Sequence, residues 1–251
     1  GAPIVNAADY GDPNCGNAAP AGTFAGRIVV CARGGNSRTE KSFNVQQRGA
    51  VGMVLINPSN LGTSTDSHFI PTVHLEKPAS DALLAFLAAR TGEIAAFTRG
   101  IATVATGDTM ASFSSRGGAT QLLGVNKPDL VAPGVQIVAG HTPSPATAAT
   151  GAPGQLAMVL EGTSIASAHV AGAAALLKAL NPSWTPGQIA SALMMSATAV
   201  VRTSDGAAFA GSFEFGSGRI QLQKAGRPGI SISPAPGEFL AKQSNLWDVN
   251  Y

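Results

Sequence analysis

The chain has 251 residues, of which only 12% are charged and 45% belong to the hydrophobic set, so neither a charge-driven disordered segment nor a nucleic-acid tail describes it. Sixteen Lys and Arg against fourteen Asp and Glu leave a formal net charge of +2, spread without runs, so no nucleic-acid or membrane partner is expected. Thirty glycines and sixteen prolines stay below low-complexity levels and imply many turns.

In chain order, the first residues, Gly1-Ala-Pro-Ile-Val5, show no basic or apolar leader pattern and no initiator Met, which reads as a mature or excised piece. Cys15 and Cys31 lie close together with neither CxxC spacing nor a companion His, so a metal site is not expected; a local disulfide or two buried thiols remain as readings. Arg27 to Cys31 reads as a strand, Lys41 to Gly49 as a helix and Val51 to Ile56 as a second strand. Ile70 to Val73 is a further apolar piece, followed by a helix with Ser80 as its expected N-cap, ending near Gly92. His68 and His74 have no Cys or carboxylate cluster around them and read as ordinary surface or half-buried histidines.

The strings Gly26-Arg-Ile-Val-Val-Cys-Ala-Arg-Gly34, Gln47-Arg-Gly-Ala-Val-Gly-Met-Val-Leu-Ile-Asn57 and Ile70-Pro-Thr-Val73, in this order, resemble the protease-associated (PA) domain inserted in many secreted proteases. The resemblance implies a small β-rich domain with flanking helices over residues 1–100, without catalytic groups and serving substrate access, partner contact or oligomer contact. From Ile101 the texture becomes Ala-, Gly- and Ser-rich, and a second domain is expected over residues 101–230. Within it, Thr142 to Gly154 reads as a mobile surface loop, and residues 231–251 as an irregular tail in which Trp247 and Tyr251 are possible anchors.

The string that carries chemistry is Gly162-Thr-Ser-Ile-Ala-Ser-Ala-His-Val-Ala-Gly172. Gly162 permits a tight turn, and Ser164 falls at the start of a helix, where free N–H groups and the positive dipole end stabilise a developing anion. Small residues at Ala166, Ala171, Gly172 and Ala175 predict a helix buried closely against a sheet. The apolar run Ile165 to Leu180 is interrupted by Ser167, His169 and Lys178 and is too short for about 30 Å of hydrocarbon, so no membrane span is expected.

This string resembles the nucleophile motif of the subtilisin-like serine proteases, with Ala168 where the family has proline. Phe113-Ser-Ser-Arg-Gly117, Lys127-Pro-Asp-Leu-Val-Ala-Pro-Gly134, Asn181-Pro-Ser-Trp-Thr-Pro186 and Phe215-Gly-Ser-Gly-Arg-Ile220 occur in the family's order. The resemblance implies an α/β fold, a β-rich PA domain followed by the serine-bearing part of a three-layer parallel-sheet domain. It implies Ser164 as nucleophile, Gly162 and Thr163 on the substrate approach, a protein or peptide substrate, no cofactor, and a secreted or extracellular setting.

The family's Asp-Ser/Thr-Gly and His-Gly-Thr motifs lie ahead of the PA insertion. Asp66-Ser-His68 and Gly140-His-Thr142 match neither of them in sequence or position. His169 is turned about 140° around the helix from Ser164 and reads as structural. The expectation is therefore half an active site, inactive alone and completed by an upstream segment bearing Asp and His; without that segment a sheet edge and an apolar face would stand uncovered. The alternative is a non-catalytic PA interaction module or pseudoprotease. Asp9, Asp12, Asp66 and Asp129 are not at calcium-loop spacing.

Overall fold

A computed structural model describes residues 1–16, 19–102, 104–118 and 127–230. The expected tail, with Trp247 and Tyr251, lies outside the described residues. The protein is a mixed α/β structure in two units, Gly1–Thr103 with Gln136–Leu160, and Val104–Val135 with Glu161–Tyr251. The segment 136–160 thus packs with the first unit although its flanks on both sides belong to the second.

The first unit is built on a five-stranded sheet of β1 (Ala2–Asn6), β2 (Ile28–Ala32), β3 (Gly52–Ile56), β4 (Thr72–Leu75) and β5 (Ile94–Ala95), in the order β4-β3-β2-β1-β5. The first four run parallel and β5 closes the β1 edge antiparallel. Strands β2 and β3 are apolar on both faces, as a parallel sheet covered on each side requires. Val29, Cys31, Met53 and Leu55 join Val45 of helix α1 (Arg38–Gln46) in one core. Ile28, Val30, Val54 and Ile56, one residue out of phase, meet Leu83, Leu84 and Leu87 of helix α2 (Lys77–Ala88) in the other. Cys15 and Cys31 form a disulfide with a Cα separation of 5.7 Å, which ties the loop after β1 to β2.

Two helix starts differ from the sequence expectation. Helix α1 begins at Arg38 because the Ser37 hydroxyl accepts the Glu40 N–H at 3.1 Å. Helix α2 begins at Lys77, capped by the Glu76 carboxylate with Pro78 in its first turn, so Ser80 is not the N-cap. Ser80 is buried inside the first turn, where its hydroxyl donates to Glu76 O at 2.9 Å and accepts the Asn57 N–H at 3.2 Å. Lys41, in α1, is wholly buried; its Nζ donates to Asn14 O (2.6 Å), Gly34 O (2.6 Å) and Asn36 Oδ1 (2.5 Å).

A polar cluster joins the stretch after β3 to β4. The Ser64 N–H donates to His74 Nδ1 at 2.9 Å, which leaves His74 Nε2 to donate to Asn57 Oδ1 at 2.8 Å. Arg38 grips Asp66 with two bonds of 2.5 and 2.9 Å, and His68 Nε2 lies 3.9 Å from the same carboxylate. Burial holds both imidazoles below the ordinary histidine value; near His68 the Asp66 charge opposes this, while Arg38 and His74 add to it. The unfolded chain therefore takes up protons near pH 6.5 before the folded unit does, so the stability these residues confer is full above that pH and falls as the solution is acidified. The thermal midpoint is expected to drop between pH 7.5 and 5, with a shallower slope in His68→Gln/His74→Gln; equal slopes would contradict this reading.

The remaining strands, β6 (Ile137–Gly140) and β7 (Ala157–Leu160), pair antiparallel with Ile137 opposite Leu160 and Gly140 opposite Ala157. The stretch Thr142–Gly154 between them is not a featureless loop. It holds a 3-10 turn at Ala148–Thr150, and the Thr39 hydroxyl of α1 donates to Ala149 O at 2.9 Å.

In the second unit, helix α3 (Thr163–Leu180) packs Ala173 and Leu177 against Ile189, Ala192 and Leu193 of α4 (Pro186–Met195) and Ala225 of α6 (Leu222–Ala225). Helix α4 starts with a capping box, Thr185 and Gln188 bonding each other's backbone, and Pro186 at its first position. Met110, Val201 and Ala210 form a second small core with Val131 and with Phe215 of α5 (Ser212–Phe215).

Candidate active site

Three local facts place Ser164. Gly162 precedes α3 with φ 148° and ψ 156°, a conformation that a side chain at this position would strain. Its N–H donates to Gly134 O at 2.8 Å, which clamps the turn to the Val-Ala-Pro-Gly134 segment. Gly162 O in turn accepts from Ile165 N at 3.1 Å and Ala166 N at 3.3 Å, opening the helix. Ser164 is then the second helical residue, with its side chain exposed.

Among the described residues the N–H groups of Thr163 and Ser164 have no acceptor, so both are open to an anionic oxygen at the positive end of an 18-residue helix. The Ser164 hydroxyl likewise bonds to no base among the described residues. His169 is half-buried, with Nδ1 against Ile165 O at 3.1 Å, one turn further along the same helix. His141, between β6 and β7, has Nδ1 3.1 Å from Gln155 O and Nε2 2.7 Å from Thr150 O. No cluster of three or more potential metal ligands occurs among the described residues.

Beside the turn lies a mostly apolar cleft of about 690 Å³, lined by Met110, Phe113, Leu130, Val131, Val170 and Val201 among others. Gly162 and Thr163 line it, while Ser164 does not. Asp108 and Arg219, joined at 2.7 Å, are its charged lining pair.

Gly134 is the functional position that sequence reasoning passed over. A Cβ there would stand 2.8 Å from Gly162 O and 3.1 Å from Ala166 Cβ, so only glycine lets the two segments meet. Its one sequence signal is its place at the end of the string Lys127 to Gly134. Gly134→Ala is expected to lower the stability of the second unit by about 2 kcal/mol by overpacking this contact. Thermal unfolding checks it, and a midpoint equal to wild type would contradict the clamp.

The predicted close burial of α3 is not what the structure has. Ala171, Gly172 and Ala175 are exposed, as are Leu176 and Leu180 at 63% each. Small residues permit a close approach, but among the described residues nothing covers that face. Because α3 starts at Thr163 rather than Ile165, its 18 residues at a mean hydropathy of 1.3 meet a membrane span's length and composition, a criterion that core helices of soluble proteins also meet.

The site is an exposed serine in a glycine-set turn at a helix N-terminus, with the N–H groups of Thr163 and Ser164 open beside it among the described residues. Residues 6–218 match the Subtilase family, and the chain belongs to that family. Among similar proteins of Arabidopsis thaliana, it is 36% identical to "Subtilisin-like protease SBT1.6" over 220 residues, covering 82% of this chain and 28% of the relative. It is 32% identical to "Subtilisin-like protease SBT5.4" over 226 residues, 86% of this chain and 29% of the relative. For "Subtilisin-like protease SBT1.7" the figures are 32% over 257 residues, 95% and 34%. The chain thus spans about a third or less of the length of these relatives.

Proposed function

We propose that the chain is the serine-bearing portion of a secreted subtilisin-like endopeptidase, with residues 1–100 as a PA domain and Ser164 as the nucleophile. The observation that carries this is the exposed Ser164 hydroxyl beside its own free N–H at the start of α3. In this reading Ser164 Oγ attacks the scissile carbonyl carbon while its proton passes to a histidine on an upstream segment, oriented there by an aspartate. The Ser164 and Thr163 N–H groups receive the developing oxyanion. The C–N bond breaks as the histidine returns the proton to the amine, and water then cleaves the ester. Gly162 and Thr163 flank the substrate, a protein or peptide.

The upstream segment also accounts for the uncovered small-residue face of α3. The second reading, a PA interaction module or pseudoprotease, is favoured by the lack of any base on Ser164 among the described residues. Peptide hydrolysis separates the two. This chain alone is expected to be inert and a longer polypeptide that includes the upstream Asp and His motifs to be active; an inert longer polypeptide would favour the second reading.

A further inference from the structure

We propose that His141 is an acid-closed staple of the first unit. As an imidazolium it ties the neck of the β6–β7 hairpin to the 3-10 turn that docks on α1, and as a neutral ring it holds only one of the two. Every contact involved lies within the first unit, and none depends on the role of Ser164.

Both ring nitrogens meet main-chain carbonyls: Nδ1 stands 3.1 Å from Gln155 O and Nε2 2.7 Å from Thr150 O. A carbonyl oxygen only accepts, and a neutral imidazole carries a single N–H, so in that state one ring nitrogen turns a lone pair towards an oxygen. The imidazolium carries two N–H groups and satisfies both oxygens with charge-assisted bonds. His74 shows the opposite pattern, since its Nδ1 accepts the Ser64 N–H while its Nε2 donates to Asn57 Oδ1, and the neutral ring is complete.

The two carbonyls that His141 joins belong to different parts of the loop. Gln155 lies at the neck, where the His141 N–H donates to Leu156 O at 2.9 Å just beyond the last rung of the ladder, Gly140 opposite Ala157. Thr150 ends the 3-10 turn Ala148–Thr150, which Thr39 fastens to α1 through Ala149 O at 2.9 Å. The turn's own bonds are long, 3.2 Å from Thr150 N to Thr147 O and 3.3 Å from Gly151 N to Ala148 O. A bond from the ring to Thr150 O therefore adds substantially to what holds the turn to the neck.

Thr142 to Gly154 carries no charged side chain. Gly151 brings the loop to the stretch before β4, its Cβ direction 3.8 Å from Ser67 O. The charged and titratable groups on the elements packed against the loop are Arg38, Glu40 and Lys41 of α1, with Asp66, His68 and His74 beyond them. Arg38 and Asp66 neutralise each other through two bonds, and Glu40 acts on the buried Lys41. Burial holds His68 and His74 in the neutral form, and His68 Nδ1 has no partner among the described residues, so protonation there opposes the fold. As pH falls through the range in which imidazoles take up their proton, the hairpin tip thus tightens while the unit around it loses stability.

That difference in sign is the test. Amide hydrogen exchange is measured on the full chain at pH 5.5 and pH 8, each rate referred to that of an unstructured peptide at the same pH. The expected result is about fivefold more protection of Thr150 and Gly151 at pH 5.5, for one hydrogen bond gained, with no gain in β2 and β3 and no such difference at the tip in His141→Gln. Equal protection of the tip at both pH values, tip protection that falls together with β2 and β3, or an undiminished gain in His141→Gln overturns the staple. Ring NMR of the wild-type chain decides even where the variant fails to fold. At pH 5.5 both His141 ring N–H protons are expected to exchange slowly with water, as hydrogen-bonded protons do, and rapid exchange of either one overturns the staple.

Discussion

Lys41→Met is expected to lower the stability of the first unit by about 3 kcal/mol. The side chain has no exposed surface, and its three protons meet three oxygens at 2.5 to 2.6 Å. Methionine fills similar volume but leaves Asn14 O, Gly34 O and Asn36 Oδ1 facing apolar atoms, and the desolvation of those acceptors is then uncompensated. The carbonyls lie in the turns beside the disulfide, where Asn44 Nδ2 also donates to Cys15 O at 2.9 Å, so the loss falls on the junction of β2, α1 and the Cys15 loop.

A pH signature accompanies this loss. Burial draws Lys41 from 10.5 down to about 8, against the pull of Asp12 and Glu40. Between those values the unfolded chain keeps a proton that the folded unit has shed, so stability from this position rises with pH there and is lost as pH falls through 8. Denaturant unfolding at pH 7 and 9.5 reads both effects. A variant as stable as wild type, or with the same pH slope, would contradict the buried-ammonium account.

The second large effect is at Ser164. In a longer polypeptide carrying the upstream base, Ser164→Ala is expected to lower kcat on the order of 10⁴-fold or more, since the hydroxyl that forms the ester is gone and only the oxyanion donors and substrate contacts remain. Thermal stability should be unchanged within error, because the Ser164 side chain is exposed and makes no hydrogen bond among the described residues. Retained hydrolysis would remove Ser164 from the reaction; a large drop in stability would show that the hydroxyl serves the fold.

The first unit was legible where local pattern and tertiary role agree. The apolar runs of β2 and β3 and the helix between them follow from residue type and turn chemistry alone. The start of α2 was misread because Ser80 is a common capping residue, whereas Glu76 followed by Pro78 gave the weaker signal. The burial of Lys41 has no sign in the sequence, because its partners are two backbone carbonyls and the Asn36 side chain in other turns, which leave no trace in composition.

The turn into α3 was legible through an eleven-residue string, and Gly134 was not, because its requirement is a contact across 28 residues of sequence. The docking of the Thr142–Gly154 stretch onto α1 was hidden for a similar reason: a Pro-, Ala- and Thr-rich loop has no periodicity to show which surface it meets. The exposed face of α3 marks a different limit. Small residues announce that a surface can be closely approached, not what makes the approach.

The central claim is that Ser164 is a nucleophile whose base comes from outside this chain. Intact-mass analysis after exposure to a fluorophosphonate tests it most directly, with this chain, the longer polypeptide and its Ser164→Ala variant treated side by side. The account predicts a single added adduct on the longer polypeptide, none on its Ser164→Ala variant and none on this chain alone. An adduct at Ser164 of this chain alone, or a longer polypeptide left unlabelled, would contradict it.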